Sequence, residues 1–146
     1  MRDISPEGAD DANAAPGDRS SDGQEGPYDW YTRGLSLLAA GSAAAAEQVL
    51  ARAAVAEPES RSVLEALGRA QFKARHYTLA KETFTRLTDA NPADDYAQFA
   101  LGLSSARLGD LRSAVEHLAL AAAMRPDLAH YGRELRMARA RLEGAP

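Results

Sequence analysis

From residue 27 onward the apolar positions recur at the three- and four-residue spacing of amphipathic helices, and the whole pattern repeats every 34 residues. Gly34, Gly68 and Gly102 form one column at that interval; Ala46, Ala80 and Ala114 form another, and Pro58, Pro92 and Pro126 a third. Bulky Leu50, Phe84 and Leu118 make a fourth column, and Ala53, Leu87 and Ala121 a fifth. Columns in phase without a gap predict an all-α solenoid of three units, each with a first helix starting near Asp29, Ser62 or Tyr96 and a second near Ser42, His76 or Asp110. Glycine inside a helix costs about 1 kcal/mol relative to alanine, so its recurrence calls for a packing reason. The reading is that the glycine and alanine columns let two helix backbones approach, while the Leu50, Phe84 and Leu118 column fills the space beside them.

Punctuation agrees with the period. Gly41-Ser42 and Gly109-Asp110 read as a helix-ending glycine followed by an N-capping oxygen, whereas repeat two has Arg75-His76 there. The prolines end each second helix, and Ser60, Asp94 or Asp95, and Asp127 offer caps for the helices that follow. One more amphipathic segment follows Pro126, with Leu135 continuing the column of Leu67 and Leu101. The predicted organisation is a repeat domain over 27–146, with units 27–60, 61–94 and 95–128 and a capping helix 129–143.

Charge separates the first 26 residues from the rest. They carry seven acids against two arginines, a net −5, with Ile4 the one large apolar side chain apart from Met1, and read as a disordered acidic tail. The remainder carries 15 basic and 14 acidic residues. There is no cysteine, no apolar run of membrane-spanning length and no basic-then-apolar start, so the expected compartment is the cytoplasm. Fifteen arginines to two lysines point to a GC-rich, bacterial genome.

Catalytic chemistry finds no purchase. His76, His117 and His130 have no spacing that puts two ligands on one helix face, Asp94-Asp95 falls at a repeat junction where capping accounts for it, and no phosphate-loop, dinucleotide or nucleophile-elbow motif occurs. The expectation is no enzyme activity, no cofactor and no metal. Arg133, Arg136, Arg139 and Arg141 against Glu134 and Glu143 make the last helix basic; helix-end charge preference and solubility account for this better than nucleic-acid binding in an acidic molecule.

The 34-residue unit with Trp30, the invariant glycine and alanine columns and the terminal proline resembles the tetratricopeptide repeat over 27–146. Gln98 departs where a bulky apolar residue is usual, and Leu37, Gln71 and Ser105 stand where tyrosine is common, which predicts looser packing around repeat three. The resemblance implies a right-handed superhelix whose first helices line a concave groove that takes extended or helical peptides. Carried over position by position, the groove residues are Tyr28, Tyr31, Leu35, Leu38 and Ala39; then Ser62, Glu65, Arg69, Phe72 and Lys73; then Tyr96, Phe99, Leu103, Ala106 and Arg107; and on the cap His130, Arg133, Met137 and Arg141.

Two readings of that surface stay open. In one, Tyr28, Tyr31, Leu35, Phe72, Tyr96, Phe99 and Leu103 with Arg69, Lys73, Arg107 and Arg133 receive a protein or peptide that carries acidic groups and apolar anchors. In the other, Leu35, Leu38, Phe72 and Leu103 pack between helices and the arginines are a solvated face. Family members that grip chaperone C-termini use lysine and asparagine where this chain has Tyr31, Leu35 and Ala66, so such ligands are not expected. The acidic tail could fold back over the cationic groove, and a homo-oligomer or an accessory subunit of an enzyme on another chain are the alternatives to an adaptor. Neither nucleic acid nor membrane is an expected partner.

Overall fold

The computed structural model describes residues 25–145; of the expected acidic tail over 1–26, all but Glu25 and Gly26 lies outside the described residues. The described residues form seven α-helices: α1 Pro27–Ala39, α2 Ala43–Ala56, α3 Arg61–Lys73, α4 Tyr77–Ala90, α5 Asp95–Arg107, α6 Leu111–Met124 and α7 Ala129–Glu143. Each packs chiefly on its neighbours in sequence. First helices also touch across a repeat, α1 with α3 and α5 with α7, whereas no comparable contact joins two second helices among the described residues. The first-helix side is therefore the inside of the curve.

The glycine column does what its spacing predicts. A Cβ at Gly34 would meet Leu50 Cγ at 2.4 Å, one at Gly68 would meet Phe84 Cζ at 2.6 Å, and one at Gly102 would meet Leu118 Cγ at 2.7 Å. Leu50, Phe84 and Leu118 are all but fully buried, as are Ala46, Ala80 and Ala114. Within each repeat, one bulky side chain thus lies directly against the partner helix backbone.

All three inter-helix turns share one hydrogen-bond scheme. Gly41 N–H donates to Leu38 O and Ser42 N–H to Leu37 O; Arg75 and His76 do the same to Phe72 and Gln71, and Gly109 and Asp110 to Ala106 and Ser105. The turn residue is left-handed each time, with φ of 83° at Gly41, 67° at Arg75 and 85° at Gly109. The missing glycine of repeat two thus leaves the turn geometry intact and puts an arginine into a backbone conformation that disfavours it.

Caps follow the expectation at three sites. Ser60 accepts from Val63 N–H, Asp94 from Ala97 N–H and Asp110 from Ser113 N–H. Ser42 occupies its N-cap without a side-chain bond. Asp127 is a correction: both of its side-chain oxygens accept from Arg125, at 3.0 and 2.8 Å, and the N-cap of α7 is Leu128, which has no side-chain oxygen to offer. Gln98 and Ser105, expected to loosen repeat three, are instead buried and bonded. Gln98 Nε2 donates to Pro92 O at 3.0 Å, its Oε1 lies 2.8 Å from His117 Nδ1, and Ser105 Oγ lies 3.4 Å from Ser113 Oγ. Gln71 is likewise buried, accepting from Thr83 Oγ1 at 2.7 Å.

Gly68→Ala should lower stability by about 1–2 kcal/mol, because overpacking against the buried Phe84 ring exceeds the gain in helix propensity. Gly132→Ala, whose nearest neighbour is the flexible Arg136 Nη1 at 3.5 Å, should be neutral or stabilising by up to about 1 kcal/mol. Urea unfolding of both variants reads the contrast; equal midpoints would refute the packing account. Asp94 gives a pH test. Burial works to raise its carboxyl, but the bonds from Arg61 Nε at 2.9 Å and Ala97 N–H outweigh it and hold the group below the usual carboxylate range. Its contribution is complete above the unfolded value of about 3.9 and is lost as pH falls through the lower folded value. Asp94→Asn should therefore be less stable at pH 7 yet lose less stability on acidification below about pH 4, measured by denaturant melts across that range.

Candidate functional site

Three successive elements close one hollow on the first-helix side. Arg69, Phe72 and Lys73 lie one helical turn apart at the end of α3; Arg75 and Tyr77 flank the turn into α4; and Tyr96, Phe99, Ala100, Leu103 and Arg107 share one face of α5. Phe84 reaches the hollow from below, so the ring that fits against Gly68 also contributes to its floor. The space amounts to about 480 Å³, the size of a small-ligand or side-chain pocket.

Aromatic contacts fix the walls. Phe72 and Tyr77 meet edge to face at 5.2 Å, Phe84 and Tyr96 at 6.1 Å, and Phe99 stacks on Tyr131 of α7 at 4.4 Å. Tyr131 is itself buried and its hydroxyl donates to Asp95 Oδ2 at 2.7 Å, so α7 props Phe99 from behind. Burial first, and the bonded Asp95 second, push the Tyr131 phenol above its usual value. Burial also raises the Tyr96 phenol, with Arg69 opposing and Glu65 and Asp94 reinforcing the shift.

The charge in the hollow is of one sign. Arg69, Lys73, Arg75 and Arg107 line it, and among the described residues the ion pairs lie elsewhere: Arg33–Glu25, Arg61–Asp94 with Arg61–Glu65, His76–Glu47, Lys81–Asp110 and Arg125–Asp127. Arg107 lies over Phe72 at 4.9 Å and over Tyr77 at 5.5 Å, and its Nη1 donates to Tyr77 Oη at 3.0 Å. An apolar floor under several cations is suited to an anion with an apolar neighbour.

Of the eleven groove residues expected from sequence, Arg69, Phe72, Lys73, Tyr96, Phe99, Leu103 and Arg107 converge on this hollow. The other four do not. Tyr28 is exposed on α1, Tyr31 and Leu35 pack against the core, and Arg133 is exposed on α7 away from the hollow. Leu38 is as buried as Phe99 but does not line the hollow, so it belongs to packing. Arg75, Tyr77, Phe84 and Ala100 were not anticipated; the glycine missing from the second turn was the one signal, since it marks a side chain placed where the other repeats have none.

The sequence pattern of the tetratricopeptide repeat matches residues 31–80 and 65–129. The chain belongs to the tetratricopeptide-repeat family. Among curated proteins it is similar to human Superkiller complex protein 3, 34% identical over 86 residues, which is 59% of this chain and 6% of that protein. The mouse counterpart is 31% identical over 98 residues, 67% of this chain and again 6% of the relative. The chain therefore spans only about a sixteenth of these relatives. Among solved structures, MamA (residues 41 to the end) from Desulfovibrio magneticus RS-1 superimposes with a TM-score of 0.77 at 24% identity, covering 81% of this chain and 67% of the other. The first tetratricopeptide domain of Spaghetti (RPAP3), bound to the HSP90 peptide SRMEEVD, gives 0.76 at 16% identity, covering 81% and 94%. At these identities the structural likeness establishes the tetratricopeptide fold. No helix of the described residues is long and apolar enough to cross a membrane.

Arg75→Gly should relieve the left-handed strain at this turn and raise stability by up to about 1 kcal/mol, while removing one cation from the hollow. Thermal melting reads the gain; a loss of stability would mean that the Arg75 side chain contributes more than its backbone costs.

Proposed function

We propose that this domain is a protein-interaction module that holds a peptide or protein segment bearing acidic groups and apolar anchors against the inside of the curve. The observation that carries the reading is the convergence of Arg69, Lys73, Arg75 and Arg107 on one aromatic hollow, with no carboxylate paired to them among the described residues. Aromatic rings supply buried area and the cations supply charge-assisted bonds, a combination found at the centres of protein interfaces. The RPAP3 neighbour, whose structure holds an HSP90 peptide, supports a peptide as the class of ligand. Tyr31, Leu35 and Ala66 stand where chaperone-tail binders of the family carry lysine and asparagine, so this reading places recognition in repeats two and three instead.

Self-association by end-to-end stacking finds less support. Asp29, Thr32, Arg33 and Ser36 of α1 are in register with Val63, Ala66, Leu67 and Ala70 of α3, which are buried. On α7, exposed Arg136 continues the glycine column, where a further second helix would need a small residue.

Affinity capture from native lysate, followed by titration of the captured segment, tests the proposal. Replacing Arg69, Lys73 and Arg107 together by alanine should weaken binding at least about ten-fold and flatten its dependence on salt, as screening of a cationic surface requires. Unchanged affinity in the triple variant would sink the electrostatic part of the reading. Light scattering across concentration should return a single-chain mass for the free protein.

A further inference from the structure

Arg107 differs from the other cations of the hollow in being held. Its guanidinium is laid over Phe72 and Tyr77 at 4.9 and 5.5 Å, and one N–H is committed to Tyr77 Oη at 3.0 Å. The platform is itself braced, because the two rings meet edge to face at 5.2 Å and Tyr77 is the first residue of α4, fixed just after the left-handed turn. Its remaining N–H groups have no protein carboxylate or carbonyl acceptor among the described residues. Lys73 and Arg107 are both exposed, but neither Lys73 nor Arg69 makes a side-chain hydrogen bond or ring contact among the described residues, so neither is oriented in this way.

We infer that Arg107 is the specificity-determining anion seat of the groove, a planar fork prepared for one carboxylate of an aspartate or glutamate side chain whose bulky apolar neighbour fills the hollow beside it. This rests on the peptide-binding reading above. A fork with its plane already fixed gives up little freedom on pairing with a two-oxygen acceptor, whereas a lysine at the same place would be a mobile point charge. The apolar neighbour follows from the walls: Phe72, Tyr96, Phe99 and Leu103 offer hydrocarbon within reach of the same guanidinium. Tyr77 is then a positioning residue, acting through Arg107.

The test is selection of random heptapeptides displayed on phage, joined to the coat protein at their C-terminus so that no free terminal carboxylate is present, against the full chain. Sequences recovered should share an aspartate or glutamate within a residue or two of leucine, isoleucine or phenylalanine. The best peptide, made as an amide with a fluorescent label, should bind Arg107→Lys at least about ten-fold more weakly than wild type and Tyr77→Phe a few-fold more weakly, while Arg112→Lys, at an exposed arginine of α6 that does not line the hollow, should bind as wild type does. Changing the peptide's acid to its amide should weaken wild type about ten-fold and the Arg107→Lys variant hardly at all, which is the signature of a direct pair. Matching thermal melts establish that the variants are folded.

Equal binding by wild type and Arg107→Lys, or an acid-to-amide change that costs both the same, overturns the fork while leaving the acidic-ligand reading to the triple variant. Recovery of peptides with no shared acid overturns both. A peptide with phosphoserine in place of the acid that binds wild type more tightly than the glutamate form overturns the carboxylate assignment in favour of a phosphate.

Discussion

Everything in this array hangs on how closely the two helices of a repeat approach each other. Gly34, Gly68 and Gly102 remove the side chains that would keep the backbones apart, and Leu50, Phe84 and Leu118 occupy the vacated space so fully that an added Cβ would overlap them. The intrinsic helix cost of each glycine is offset by burial of a large apolar side chain, which is worth roughly 1.5–3 kcal/mol. That single contact sets the distance between α3 and α4, and hence where Tyr77 and Phe84 sit relative to Phe72. The hollow is shaped by the same packing rule that builds the scaffold.

Repeat two departs from its neighbours at just the place where the groove is most charged. Its turn keeps the hydrogen bonds of the glycine turns but carries Arg75 at a positive φ, and the turn delivers Tyr77 to the edge of Phe72. His76 occupies the N-cap position of α4 without a side-chain capping bond and is tied across to α2 instead, with Nδ1 2.7 Å from Glu47 Oε1. A departure from local preference beside a surface with unpaired cations is what a recognition site embedded in a repeat scaffold should look like.

The scaffold was legible in the sequence because its determinants are local and periodic: a column of glycines opposite a column of bulky residues has few packings available. The cationic and aromatic part of the hollow contributed by α3 and α5 was reached through the family resemblance, whose groove positions fall on one face because residues three and four apart are neighbours. Tyr77 and Phe84 escaped because they belong to second helices, which the family resemblance assigns to the outside. Tyr31 and Leu35 occupy groove positions by register and pack against the core as Phe72 and Tyr96 do, yet they lie outside the hollow. Competition explains the smaller misses. Asp127 could cap α7 or pair with Arg125, and two direct bonds to a guanidinium win over one to a backbone amide. Gln98 looked like a packing defect because its partners, Pro92 O and His117, are six and nineteen residues away.

The near-neighbour pattern of contacts carries a mechanical consequence. With each helix resting mainly on the ones before and after it, no element among the described residues bridges α1 and α7, so small rotations between neighbouring repeats would add up along the array as in a coil spring. Phe84 is wedged against Gly68 on one side and meets Tyr96 of the next repeat on the other, so flexing between repeats two and three pivots about a ring that is itself part of the groove floor. Any change in the angle between repeats two and three would therefore also change the width of the hollow.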